Sequence, residues 1–319
     1  MSACPRKMIK ENGAEKSKSF SRCRNLNLDV ECGEAVSFVW PASLFPMIQH
    51  IRIKDPDDER VGAFTSLKDR ELALRHGLFV VEGEWLVLRL LHSSYPVHAV
   101  LMTPSRFADP IWQFSAATTI YLAEEQVISR VVGFPFHRGM LALGIRSPLA
   151  PPDEFLRSAQ MPARLIILPE INDAENLGAL FRSGIGLGYT HFILGPSCTD
   201  PFSRRALRTS MGAIFQANIM RSQDLHSDII HLRHEHGFKF HALTAGDNDA
   251  ENLEGVRPSR RVGLIFGSEA NGIAPHLEML CDNKVTIPMQ PGTDSLNVNA
   301  AAAIALYHYR IQQGSGSAP

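Results

Sequence analysis

The sequence predicts an α/β protein of two domains, the second built on a mainly parallel sheet covered by helices. Three observations carry this expectation. Segments of strand and helix character alternate along the chain. Several strand segments, such as Leu165–Leu168 and Val262–Phe266, are apolar throughout rather than at every second residue, which marks burial on both faces of a sheet. The chain has 319 residues, about twice the length of a usual domain, and a proline-rich stretch at 146–163 divides it.

Composition bounds the class. Hydrophobic residues make up 45% and charged residues 20%, ordinary for a folded protein. A domain of about 150 residues buries roughly 70% of its unfolded surface, so each half can support its own core. A net charge of −1 argues against attachment to nucleic acid by bulk charge, while leaving room for a local basic patch. The five cysteines (Cys4, Cys23, Cys32, Cys198 and Cys281) form no CxxC pair and no secretory signal opens the chain, so a reduced, cytoplasmic setting is expected. No apolar run approaches the roughly 18 residues that span a bilayer, and membrane insertion is not expected.

Residues 1–46 scatter Lys7, Lys10, Lys16, Lys18, Arg22 and Arg24 among serine and asparagine without an apolar face, and read as a disordered tail. Foldable sequence begins just after Met47, which makes that methionine a candidate start of translation. The first domain spans 51–145. It opens with an amphipathic helix at Leu67–His76 and a buried strand at Leu78–Val81. A helix at Trp85–Leu91 follows, with Trp85, Leu88 and Leu91 at helical spacing. Further strands are expected at His98–Met102, Thr119–Leu122 and Met140–Leu143, with a helix at Glu124–Val131 before the last. The linker, 146–163, holds four prolines and should be a stiff spacer that extends neither helix nor sheet. The second domain, 164–313, has strands at Leu165–Leu168, His191–Leu194, Ile214–Ile219, Lys239–Leu243, Val262–Phe266 and Lys284–Ile287. Its helices lie near Glu175–Ile185, Ser203–Thr209, Asp224–Glu235, Pro275–Leu280 and Val298–Gln312.

Parallel sheets bind ligands beyond the carboxyl ends of their strands, and three loops there have unusual composition. The first, 169–184, carries Asn176 and Arg182 six residues apart, with Gly178 between them where backbone can approach closely. Arg182 lies in an apolar stretch, so its guanidinium is expected to be buried and to need a partner, or else to snorkel. The second, 267–275, is bracketed by Gly267 and Gly272 and holds Glu269 near a helix start, which also suits an ordinary strand-to-helix turn. The third follows Ile287. Pro288, Pro291 and Gly292 stiffen it, and Ser295, Asn297 and Asn299 gather at the start of a helix, where capping alone would also use them. That helix, with the run Ala300–Ala303, is apolar nearly all round and belongs in a core or a subunit interface.

Taken in order, NLGALFRSG (Asn176–Gly184), IFGSEANGI (Ile265–Ile273) and IPMQPGTDSLNVNAAAA (Ile287–Ala303) resemble the three motifs of the SpoU/TrmH family, in the SPOUT superfamily of RNA methyltransferases. SRRALRTSMGAIF (Ser203–Phe215) is similar to the stretch between the first two motifs. FVVEGEWLVLRLL (Phe79–Leu91) and HRGMLAL (His137–Leu143) resemble the family's ribosomal-protein-like substrate-binding domain. The resemblance implies an α/β trefoil knot at 164–313, preceded by a small α/β RNA substrate-binding domain. It implies S-adenosylmethionine as cofactor, held mostly by backbone at Gly267, Ile287 and Leu296, with Leu243, Thr244 and Met289 as walls. It implies a homodimer and methyl transfer to a ribose 2′-hydroxyl of structured RNA, ribosomal or transfer. Arg182 matches the family's catalytic arginine. Asn176, Ser295 and Asn297 would orient substrate or shape the loop, and Glu269 would hold the second loop. One departure is Asn299, where relatives often carry Ser.

A guanidinium with a pKa above about 12 is a poor general base, so Arg182 is assigned the clamping of an RNA phosphate. Arg204, Arg205 and Arg208 form a basic helix stripe suited to RNA phosphates. GIGLG (Gly184–Gly188) ends a helix and precedes a strand, the reverse of a dinucleotide-binding loop. His231, His234, His236 and His241 lack cysteine partners and read as surface histidines, and no metal is expected. The competing function is a non-catalytic RNA-binding or ribosome-assembly protein on the same fold. Base methylation on that fold is a second rival, against which the SLN run at 295–297 favours the ribose oxygen.

Overall fold

The computed structural model describes residues 50–314 apart from 66–68, 137–138, 148–151, 158, 160, 162, 246–248, 269–270, 291 and 293–294. The expected tail at 1–46 lies outside the described residues.

The N-terminal half runs β1 (His50–Arg52), α1 (Asp69–His76), β2 (Leu78–Glu82), α2 (Glu84–Leu91), β3 (Val97–Met102), α3 (Pro104–Phe107), β4 (Thr119–Leu122), α4 (Glu125–Val132) and β5 (Met140–Ile145). Its sheet has the order β1-β4-β3-β5-β2, with β1, β4 and β3 parallel and β5 antiparallel to both neighbours. The short β1 and α3 carry too little periodicity to stand out in the sequence. On α2 the buried residues are Leu86, Val87 and Leu90, and Trp85 is 73% exposed. The expected Trp85–Leu88–Leu91 face is thus rotated by about one residue: an apolar helix offers two adjacent stripes, and packing on the sheet selects one.

The linker is partly helical, against expectation. α5 (Pro152–Leu156) begins on a proline, because the first helical position needs no N–H donor, and Phe155 of that turn is buried.

The C-terminal half runs β6 (Ala163–Leu168), α6 (Ala174–Gly186), β7 (His191–Leu194), α7 (Arg204–Thr209), β8 (Asn218–Arg221), α8 (Leu225–His236), β9 (Lys239–Thr244), β10 (Glu251–Asn252), β11 (Arg261–Phe266), α9 (Pro275–Glu278), β12 (Asn283–Thr286) and α10 (Val298–Gly314). The seven strands are ordered β10-β12-β9-β11-β6-β7-β8, and every pairing is parallel. Helix starts follow their caps: Asp173 accepts from the Asn176 N–H, Ser203 from Ala206, and Asp224 from His226 and Ser227. Gly178 carries no side chain because a Cβ there would sit 2.6 Å from the Ala206 carbonyl oxygen, which lets α6 and α7 pack closely.

The strand expected at Ile214–Ile219 is instead a 3-10 turn, Ala213–Gln216, followed by β8. Met211 and Gly212, both at positive φ, turn the chain there. Ile214 and Phe215 then enter a core shared by the two sheets. The Phe79 ring lies 4.9 Å from Phe202 and 6.1 Å from Phe215. Arg146 closes the seam with a bidentate pair to Asp200 at 2.9 and 2.6 Å. His241, expected at the surface, is buried, with Nδ1 2.6 Å from the Tyr309 hydroxyl.

Candidate active site

Three neighbouring strands, β12, β9 and β11, end at one edge of the sheet. Their carboxyl ends and the start of α10 enclose a cavity of about 580 Å³, within the range of sites for drug-sized ligands. Leu243 and Thr244 enter it from β9, Phe266 and Gly267 from β11, and Ile287 and Met289 from beyond β12. Ser295, Leu296, Val298 and Ala301 close it from the last loop and helix. The walls are largely apolar, and backbone at the strand ends supplies polar edges, as a purine-bearing cofactor requires.

The second loop is shaped by glycine. Ser268 and Gly272 exchange backbone hydrogen bonds at 3.1 and 2.9 Å, folding the turn back on itself. Gly272 takes φ +64°, and a Cβ on Gly267 would lie 2.2 Å from the Gly272 carbonyl carbon. Glu269 lies outside the described residues.

The third loop is tied to α6. Asn297 Nδ2 donates to Asn176 Oδ1 at 3.2 Å, and Asn297 Oδ1 accepts from the Asn299 N–H at 2.9 Å. Asn297 therefore both caps α10 and reaches across to the first loop. Ser183 Oγ donates to Asn299 Oδ1 at 2.9 Å, a second tie between the same helices. The short polar residue at 299 thus has a structural use that the motif alone did not disclose.

Arg182 corrects an expectation. It is exposed rather than buried, and it does not line the cavity. Leu177, Leu180, Phe181 and Gly184 take the buried face of α6. Arg182 projects from the opposite one, beside the Ser183–Asn299 tie. The apolar neighbours in sequence are not neighbours on the helix surface.

The basic stripe divides into different duties. Arg204 Nη2 donates to the Thr65 carbonyl at 3.4 Å, joining α7 to the N-terminal half. Arg205 pairs with Glu175 at 3.1 Å in the open, and Arg208 is exposed. Exposed pairs of that kind contribute about 0–1 kcal/mol, so Arg205 exchanges partners readily.

Sequence reasoning missed several cavity residues: Phe266, Ser268, Asn271, Ile273, Glu278 and Val285. Phe266, Asn271 and Ile273 lay inside the second motif and could have been read from it. Glu278 is supplied by α9, and no motif marks it.

Residues 163–307 match the SpoU rRNA Methylase family. An uncharacterized tRNA/rRNA methyltransferase of Mycobacterium bovis is 35% identical over 272 residues, covering 83% of this chain and 93% of that protein. The 23S rRNA (guanosine(2553)-2′-O)-methyltransferase RlmP of Bacillus subtilis is 26% identical over 260 residues, covering 81% and 99%. Among solved structures, the AdoMet-bound rRNA methyltransferase of Sinorhizobium meliloti superposes with a TM-score of 0.72 at 21% identity, covering 82% of this chain and 97% of that one. The SpoU methyltransferase AviRb of Streptomyces viridochromogenes gives 0.67 at 20%, covering 81% and 97%.

Proposed function

Because the chain belongs to the SpoU rRNA methylase family, an RNA methyltransferase family, we propose that it transfers a methyl group from S-adenosylmethionine to a ribose 2′-hydroxyl of structured RNA, with ribosomal RNA favoured over transfer RNA. The single observation that carries this reading is the cavity: Leu243, Thr244, Gly267, Ile287, Met289 and Leu296, the six positions expected at the cofactor, all line it. The residues present fit such a group. The walls mix apolar side chains with Asn271, Glu278 and Ser295, the Thr244 hydroxyl is buried without a partner among the described residues, and Gly267 leaves backbone bare where a side chain would intrude.

S-adenosylmethionine supplies a methyl group already activated by its sulfonium leaving group. The protein's work is alignment, which can lower a barrier by roughly 7–11 kcal/mol. Gly267, Ile287 and Leu296 would hold the cofactor, mostly by backbone, and Ser295, exposed at the cavity rim, would hydrogen-bond the incoming ribose. The Asn176–Asn297 bond holds the first and third loops at a fixed spacing. Arg182, open to solvent on α6, clamps the phosphate next to the target ribose. The hydroxyl proton leaves to that phosphate or to water. Arg205 and Arg208 extend the phosphate contacts along α7, while Arg204 holds the two halves together and reaches RNA only secondarily. Glu269 steadies the second loop.

The reading includes the trefoil knot and a homodimer. One face of α10 is buried through Val298, Ala302, Ala305, Leu306 and Tyr309, while Ile304, Tyr307 and Ile311 are about half exposed at a spacing that makes one stripe. A second copy covering that stripe would complete the site, and sedimentation would read the dimer. A cytoplasmic location also belongs to the reading.

Two measurements test it. Arg182→Ala should slow single-turnover methylation by on the order of 100-fold or more, as for loss of a transition-state charge contact, and Arg182→Lys should recover little, because a point charge cannot replace a bidentate fork. Near-normal rates in both variants would remove Arg182 from the mechanism. Cofactor calorimetry addresses the non-catalytic alternative: absence of S-adenosylmethionine binding would favour an RNA-binding protein on this fold.

A further inference from the structure

On the side of the molecule formed by α5 and α8, three potential metal ligands converge. His231 Nε2 lies 3.3 Å and His236 Nε2 3.1 Å from the same oxygen, Oδ1 of Asp153. All three donor atoms lie within 4.8 Å of one another. We propose that Asp153, His231 and His236 form a binding site for a divalent transition-metal ion of the zinc type, which fastens the linker turn α5 to the end of α8.

The donor set indicates the class of ion. Two imidazoles and one carboxylate suit zinc and its neighbours, whereas magnesium and calcium take oxygen ligands. The spacing agrees. Bonds of about 2.0–2.1 Å in a tetrahedron set adjacent donors roughly 3.3–3.4 Å apart, and the two nitrogen–oxygen separations are 3.3 and 3.1 Å. Both rings turn Nε2 towards one carboxylate oxygen, and with all three donor atoms within 4.8 Å of one another a small adjustment of the side chains brings them around a single ion.

The cluster is also held in place by its surroundings. Phe155, two residues after Asp153, is buried and meets His191 of β7 edge-on at 5.1 Å. The end of α8 is fixed by Gly237, which takes φ +65° and returns its N–H to the Arg233 carbonyl. Both backbones that carry the cluster are therefore anchored. The side chains are 75% exposed at Asp153, 39% at His231 and 25% at His236, so an ion can enter from solvent and keep water in its remaining position. Hydrogen bonds from the two rings to the one carboxylate would also hold α5 to α8, and the test separates the two.

The tag-free, full-length protein, stripped with chelator, is titrated with Zn²⁺ alone by calorimetry, with Mg²⁺ as the comparison. One equivalent of Zn²⁺ should bind and raise the thermal midpoint, and Mg²⁺ should do neither. Asp153→Asn, His231→Ala and His236→Ala should each weaken Zn²⁺ binding by on the order of tenfold or more, while His234→Ala, on the same helix, should leave it unchanged. A folded protein with no Zn²⁺ heat, or Zn²⁺ binding that survives all three substitutions, would overturn the site. The first result would leave only the hydrogen-bonded clasp. The second would place the ion elsewhere.

Discussion

Gly267 accepts no side chain without rebuilding the loop beside it. The atoms a Cβ would strike are all backbone: the Gly272 carbonyl at 2.2 and 2.4 Å and the Ile273 nitrogen at 2.5 Å. Flexible side chains could step aside, but this turn cannot. Gly267→Ala should cost about 1–3 kcal/mol of local strain and abolish cofactor heat in calorimetry, with the far-ultraviolet dichroism of the fold retained. Unchanged affinity would mean that the loop plays no part in the cavity. The second and third motifs led to the cavity, which Gly267, Ile287, Met289 and Leu296 line, and Leu243 and Thr244 from β9 line it too. The motifs did not disclose how Arg182 stands. Its neighbours along the chain are apolar, but a helix turns by about 100° per residue, so burial follows the three- and four-residue spacing and not adjacency. The same geometry placed Trp85 outside and Leu86 inside.

At the scale of the element, α10 is tied to β9 and to the turn before β7 by polar contacts between buried groups. The Tyr189 hydroxyl donates to the Leu306 carbonyl at 3.0 Å, and Tyr309 meets His241 at 2.6 Å. Tyr309→Phe leaves the His241 ring nitrogen without that partner and should cost about 1–3 kcal/mol in denaturant unfolding. Burial holds the His241 ring below the usual histidine value of 6.5. The unfolded chain therefore binds a proton first as pH falls, and the stability this group allows is full above that value and declines below it. Urea midpoints taken from neutral pH to pH 5 should fall, and His241→Gln should flatten part of that slope. α6 and α8 were legible in the sequence because their burial pattern repeats, and β11 because it is apolar nearly throughout. The two-residue β10 was not: Glu251 and Asn252 are both exposed, and only pairing with β12 makes them a strand. Ile214 and Phe215 misled for the opposite reason, since apolar residues destined for a shared core look like a strand until the partner surface is known.

For the whole molecule, the two sheets behave as one packing unit. One continuous core holds Phe79, Val81 and Leu90 from the N-terminal half together with Phe202, Ile214 and Phe215 from the other. Each half also keeps a core of its own, as expected, around Phe64, Leu101 and Phe136 in the first and Ile167, Phe240 and Ile265 in the second, and the shared cluster joins them. Phe79→Ala should cost about 3–5 kcal/mol and should lower a single cooperative melting transition. Two separate transitions in the unmutated protein would show that the halves unfold independently. A fixed seam also holds the N-terminal half, through Arg204 and the Arg89 contact to the Met211 carbonyl, beside the face that carries Arg205 and Arg208. RNA affinity should fall steeply with salt, with a log–log slope of about −0.7 to −0.9 for each phosphate neutralised, and Arg208→Ala should reduce that slope by about one such contact.

The most direct test of the central claim is the chemical identity of the methylated product. Ribosomal RNA isolated from cells lacking the gene is incubated with the purified protein and methyl-labelled S-adenosylmethionine, digested to nucleosides and resolved by mass spectrometry. The account predicts label in a 2′-O-methylnucleoside, with the methyl group remaining on the ribose fragment. Label on the base fragment, or no transfer to any RNA fraction by a protein that binds the cofactor, would contradict it.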